Sequence, residues 1–170
     1  MNRAFVLVLA FGATLAHALD APNVVTVAPG IVTAGQPTAH ALASLREEGF
    51  TAVVYLVPPG ASDAVVGEAD IVRGQGMDFT QLPMQWEQPT DADFDAFAAA
   101  MTRMRDGKVL VHCQINLRAS TMTFLYRAIT LREPVDKAYD NVTAVWSPNA
   151  VWKRYIAAQL ARAGIAFEPY

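Results

Sequence analysis

Residues Lys108 to Ser120, KVLVHCQINLRAS, change hydrophobic period within thirteen positions and hold the chain's only cysteine. Val109 to Val111 form the short apolar run of a buried parallel strand. From Ala119 onward Met122, Leu125, Tyr126 and Ile129 recur on one face of a helix. The turn between them opens with the thiol of Cys113 and closes with the guanidinium of Arg118 at a helix start. Unpaired N–H groups and the helix dipole at such an end favour an anion and lower the pKa of a thiol. A planar guanidinium adds a bidentate grip on a tetrahedral oxyanion. This strand–Cys–loop–Arg–helix order predicts a site where sulfur attacks an anionic substrate.

The surrounding pattern alternates strands and helices. An extended segment, Asn23 to Thr33, leads through Gly35-Gln36-Pro37 into a helix from about Thr38, its N-cap, to Glu48. Thr51 to Val57 reads as a strand stopped by Pro58-Pro59-Gly60. Ser62 is expected to cap a helix that ends at Gly74-Gln75-Gly76, and Met77 to Leu82 reads as another strand. Pro83 to Pro89 forms a proline-bounded loop. Thr90 then caps a helix whose Phe94, Phe97, Ala98, Met101 and Met104 make a core stripe. After the motif, Glu133-Pro134 breaks into a shorter helix, and Asn149 starts a last one with Trp152, Ile156 and Leu160 inward. Such alternation predicts an α/β fold: a mostly parallel central sheet with helices on both faces. Ligands bind such sheets at the carboxyl ends of the strands, where Cys113 is expected.

Composition narrows the possible partners. Arg3, the apolar run Ala4 to Leu15 and Ala16-His17-Ala18 have the layout of an export signal. Cleavage near Ala18 would leave residues 19–170 as one domain, periplasmic or secreted, without stable membrane insertion. The formal net charge of −3 becomes one unit more negative once Arg3 is removed. A nucleic-acid partner usually needs a basic stripe, which is missing, so none is expected. One cysteine cannot make an internal disulfide, and beyond the leader only His40 and His112 would join it as soft metal ligands. Neither a metal nor a cofactor is expected. The sequence carries no signal for oligomeric state.

His112-Cys113-Gln114-Ile115-Asn116-Leu117-Arg118 resembles the His-Cys-x-x-Gly-x-x-Arg loop of the cysteine-dependent tyrosine and dual-specificity phosphatases. Asn116 stands at the family's glycine, and Asn is the residue most tolerant of a left-handed backbone after Gly. Five residues separate Cys from Arg in that family and four do here, the deletion falling between Asn116 and Arg118. The shorter spacing also resembles the loop of rhodanese-type sulfurtransferases. The Gly35-Gln36-Pro37 turn, the Val53-Val54-Tyr55-Leu56 strand and the Leu82-Pro83-Met84 stretch are similar to a small bacterial branch of phosphatase-like domains. Some members of that branch are fused to metallo-β-lactamase-like, sulfur-handling hydrolases. The likeness spans roughly residues 24–132.

The resemblance implies a phosphatase-like fold and assigns roles. Cys113 is the nucleophile, Arg118 binds and stabilises the oxyanion, and Gln114, Ile115, Asn116 and Leu117 form the cradle. His112 either orients the loop through a hydrogen bond or is a satisfied, partly buried histidine. Ser120 either donates to the departing thiolate or is only a polar residue of the first helical turn. A general acid is expected on the Pro83–Pro89 loop, where Glu87 is the sole carboxylate. Trp86 either walls the pocket or packs beneath that loop. Three functions follow: a phosphomonoester hydrolase acting on a small-molecule or protein phosphoester, a sulfurtransferase carrying a Cys113 persulfide, and a non-catalytic anion-binding domain.

Overall fold

The computed structural model describes residues 19–170; the expected export signal lies outside them. Five strands form one sheet: β1 (Val25–Ala28), β2 (Ile31–Ala34), β3 (Phe50–Tyr55), β4 (Asp78–Gln81) and β5 (Lys108–His112), in the order β1-β2-β5-β3-β4. β1 and β2 pair antiparallel and the remaining pairs are parallel. The extended Asn23–Thr33 segment is therefore a hairpin. Gly30 turns it at φ 81°, a conformation in which its missing side chain matters.

The helices are α1 (Ala39–Ser44), α2 (Glu68–Gly74), α3 (Asp91–Arg103), α4 (Leu117–Leu125), α5 (Val135–Thr143) and α6 (Ala150–Arg162). Three caps expected from sequence are in place. Thr38 accepts from Ala41 N, Thr90 forms a capping box with Asp93, and Asn149 accepts from Val151 N and Trp152 N. Ser62 caps nothing, which corrects the expectation. The chain from Leu56 to Gly67 is loop, and α2 starts only after Gly67, whose left-handed φ of 73° cannot sit inside a right-handed helix. A π-helical turn, Tyr126–Thr130, extends α4 and was not foreseen.

Alternation along β5 sorts the core. Val109 and Val111 face the large layer of α3 to α6, with Phe94, Phe97, Met122, Phe124 and Trp152. Leu110 faces α1 and α2, with Val32, Leu42, Leu45, Val53 and Val72. Helices cover both faces, as the apolar runs require. β5 is the central strand, and its carboxyl end delivers Cys113 to the middle of the sheet's upper edge. No described helix is long and apolar enough to cross a membrane.

Candidate active site

The loop from β5 to α4 is held from below. Cys113 N donates to Ala34 O at 3.2 Å, and Gln36 N to Gln114 O at 3.0 Å. Gly35 bridges to Ile115, and any Cβ at position 35 would lie 2.8 Å from both Gln114 O and Pro22 Cβ. This close approach explains the glycine of the Gly-Gln-Pro turn. Asn23 completes the support: its Nδ2 donates to Ile115 O at 3.0 Å, and its carbonyl accepts from Asn116 Nδ2 at 2.5 Å.

Asn116 adopts φ 72°, the left-handed conformation its place in the motif requires. It is the N-cap residue of α4, yet its side chain does not cap the helix. Nδ2 turns away to Asn23 O and to Thr33 Oγ1, 3.1 Å off. The first N–H groups of α4 have neither an intrahelical acceptor nor that side-chain cap, so they are available to an anion. The helix begins at Leu117, two residues before the Ala119 start expected, which sets Arg118 in its first turn.

Cys113, Gln114, Ile115, Leu117, Arg118 and Trp86 line one cavity of about 410 Å³. Cys113 is 1% exposed and unpaired as a free thiol. Arg118 is largely buried, its Nε has no partner, and no ion pair among the described residues uses it. Its guanidinium carbon lies 5.3 Å from the centre of the Trp86 ring, within cation–π range. A buried cation facing an aromatic wall, with no anion of its own, is equipped to receive one.

Trp86 answers to both sequence alternatives at once. It walls the cavity and also packs below its loop, with ring centres 5.4 Å from Trp146 and 5.1 Å from Trp152. Trp152 Nε1 donates to Trp86 O at 3.1 Å, so α6 braces the segment. Glu87, next along the chain, is exposed and is not among the residues lining the cavity. Ser120 is buried, and its hydroxyl donates to Leu117 O at 3.1 Å within its own helix. Of its two sequence alternatives, the polar first-turn residue matches this geometry.

Two residues met here, Asp63 and Glu68, went unnoticed in the sequence. Asp63, in the loop after β3, accepts from Gln114 Nε2 at 3.0 Å, which brings a carboxylate against the loop from β5 to α4. His112 is fully buried, with Nε2 2.6 Å from Glu68 Oε1, and stacks on Tyr55 with ring centres 4.6 Å apart. Gln36 Nε2 donates to the other oxygen of Glu68 at 2.9 Å. Burial pushes the Tyr55 phenol up to about 12; the Glu68, Asp63 and Cys113 charges add to this and Arg118 opposes it. Tyr55 thus remains a neutral hydroxyl across the physiological range.

Neither a family model nor a curated protein matches the sequence. Solved structures do. The chain is 28% identical to a DUF442 protein of Shewanella putrefaciens described as a candidate phosphatase, with TM-score 0.77 over 84% of this chain and 94% of that one. It resembles the core catalytic domain of the PP-IP phosphatase SIW14 of S. cerevisiae, at 13% identity and TM-score 0.63, covering 90% of this chain and all 100% of that one. It also resembles P. aeruginosa TpbA in complex with pTyr, at 17% identity and TM-score 0.59, over 80% and 81% of the two chains. The chain has the fold of the cysteine-dependent tyrosine and dual-specificity phosphatase-like proteins.

Proposed function

We propose that the chain is an exported, cysteine-dependent hydrolase of phosphomonoesters. The observation that carries this is the meeting, in one cavity, of a buried thiol and an unpaired buried guanidinium at an uncapped helix N-terminus. The Cys113 thiolate attacks phosphorus while the bond to the leaving oxygen breaks, giving a cysteinyl phosphate. Arg118 and the first N–H groups of α4 hold the three equatorial oxygens, whose charge rises in the transition state. The leaving oxygen takes a proton from a carboxylic acid, for which Glu87 and Asp63 are the two candidates. Water then attacks phosphorus, the sulfur–phosphorus bond breaks, and the thiolate returns with inorganic phosphate released. Nothing in this sequence of steps calls for a metal or cofactor.

Two neighbours support a phosphorylated substrate: SIW14 is a PP-IP phosphatase, and TpbA is in complex with pTyr. A small-molecule or protein phosphoester is therefore the substrate proposed here, in the periplasm or outside the cell once residues 1–18 are removed. The four-residue span between Cys113 and Arg118 favours a second reaction, sulfur transfer through a Cys113 persulfide.

Intact-mass analysis separates the two. Quenching with acid during turnover of an aryl phosphate should leave wild-type protein heavier by one phosphoryl group, and Cys113→Ser unmodified. Arg118→Lys should lose nearly all turnover, because a point charge cannot replace the bidentate fork. A one-sulfur adduct after thiosulfate, with no phosphoryl adduct, would establish the sulfurtransferase instead. Arg118-dependent phosphate binding with neither adduct would leave only an anion-binding domain.

A further inference from the structure

Three segments far apart in sequence converge beneath the nucleophile. Gln36 follows β2, Glu68 opens α2 and His112 ends β5. Glu68 is 5% exposed and His112 is wholly buried. Both carboxylate oxygens are used, one by Gln36 Nε2 at 2.9 Å and one by His112 Nε2 at 2.6 Å. An ionised carboxylate only accepts, so the imidazole carries a proton on Nε2. Tyr55 closes the ring's other face, its plane tilted 14° from the imidazole. The cavity wall that Cys113 shares does not include any of these three residues.

We infer that Glu68, fixed by Gln36, is a positioning residue that acts through His112 to hold the Cys113 backbone in its attacking place. A buried carboxylate is costly and contributes little net stability even when paired. Here both Glu68 oxygens are bonded, which fixes the carboxylate between Gln36 and His112, while Gln36 Oε1 and His112 Nδ1 have no partner. His112 precedes the nucleophile directly, and Leu56 N donates to its carbonyl at 3.0 Å. Its ring is therefore a lever on the strand end that carries sulfur. Arg118 and the α4 N–H groups are held by different contacts, through Asn116, Asn23 and Thr33. Nucleophile placement and anion binding thus rest on separate supports, and they separate in experiment. The inference rests on the cysteine chemistry proposed above.

The test compares Glu68→Ala and Glu68→Gln with wild type on an aryl phosphate. Displacing a reacting atom by about 1 Å can cost up to about 100-fold, so Glu68→Ala should lower kcat by about tenfold or more. KM, and the inorganic phosphate concentration that protects Cys113 from iodoacetamide, should stay within about twofold. Glu68→Gln should recover most of the loss. Its oxygen accepts from His112, and its amide reaches the Gln36 carbonyl oxygen, which has no partner, once Gln36 turns over. If Glu68→Ala does not fold, Gln36→Leu removes one support of the carboxylate and should give a smaller kcat loss at unchanged KM. An unchanged kcat, a phosphate affinity that falls with kcat, or a Glu68→Gln no better than Glu68→Ala would overturn the inference. If wild type hydrolyses no phosphoester, the phosphatase proposal fails by itself. The alkylation rates of Cys113 at one pH still decide on Glu68: a slower rate in Glu68→Ala supports positioning, and an equal rate refutes it.

Discussion

Asn116 offers the sharpest test of how the loop is built, because its backbone and side chain contribute separately. At φ 72° an ordinary L-residue pays a steric penalty that Gly escapes and Asn largely tolerates. The side chain donates twice from Nδ2, to Asn23 O at 2.5 Å and Thr33 Oγ1 at 3.1 Å, while Oδ1 has no partner to lose. Asn116→Gly keeps the conformation and loses both bonds, at about 1 kcal/mol each, or about 2 kcal/mol in all. Asn116→Ala loses the same bonds and adds about 1 kcal/mol of left-handed strain, giving about 3 kcal/mol. For a domain of this size those losses correspond to roughly 6 °C and 9 °C in Tm. Urea unfolding of the three proteins should rank them wild type, Gly, Ala, with steps of that size. Activity should fall in the same order even where all three are folded, because Leu117 and Arg118 follow directly and their placement sets the anion cradle. Equal destabilisation by Gly and Ala would refute the backbone part. An Ala variant within about 0.5 kcal/mol of wild type would refute the whole account.

Three further outcomes are expected. Gly35→Ala should destabilise by about 1–3 kcal/mol in urea unfolding, because its Cβ would meet Gln114 O and Pro22 Cβ at 2.8 Å and Ile115 Cα at 3.1 Å; a neutral substitution would show that the loop does not rest on this turn. Asp63→Asn and Glu87→Gln should be compared on aryl and alkyl phosphates: whichever residue protonates the leaving group should, when replaced, hurt the alkyl ester more, and equal losses on both esters remove that residue as acid. Tyr55→Phe should change alkaline stability in one direction: the phenol is held up at about 12 when folded against about 10 unfolded. Its contribution is complete below the unfolded value and is lost as pH rises through the folded one, so wild type should lose stability between those limits faster than Tyr55→Phe. Parallel Tm curves would show that Tyr55 does not titrate in that window.

The parts legible in the sequence were those fixed by short-range chemistry. Thr38, Thr90 and Asn149 announce helix starts because a side-chain oxygen reaches an N–H two or three residues on. The strand–Cys–loop–Arg–helix order was readable because the hydrophobic period changes there, and Asn116 because few residues tolerate its conformation. Long-range partners left no such trace. Gln36 meets Glu68 across 32 positions, and Glu68 meets His112 across 44; nothing local marks Glu68 as the partner of either. Asp63 is concealed in the same way, since only folding brings it to Gln114. Ser62 misled for a local reason. It has the composition of a cap, but Gly67 stands between it and the helix with a backbone no helix can contain.

The same contacts bear on the short loop. A four-residue span could be a five-residue cradle with one residue deleted, in which case inserting Gly after Asn116 should improve phosphate turnover. Yet each intervening residue has a defined contact or boundary. Gln114 gives its carbonyl to Gln36 and its amide to Asp63. Ile115 pairs with Gly35 and gives its carbonyl to Asn23. Asn116 turns the chain and ties it to Thr33, and Leu117 begins α4 while its carbonyl accepts from the Ser120 and Thr121 hydroxyls. An extra residue after Asn116 would move α4 relative to Asn116's anchors or force those anchors apart. Its first N–H groups and Arg118 would then no longer face the sulfur together. The insertion is therefore expected to lower turnover and phosphate protection of Cys113 alike, and a variant that gains activity would show that the native loop is a truncated cradle after all.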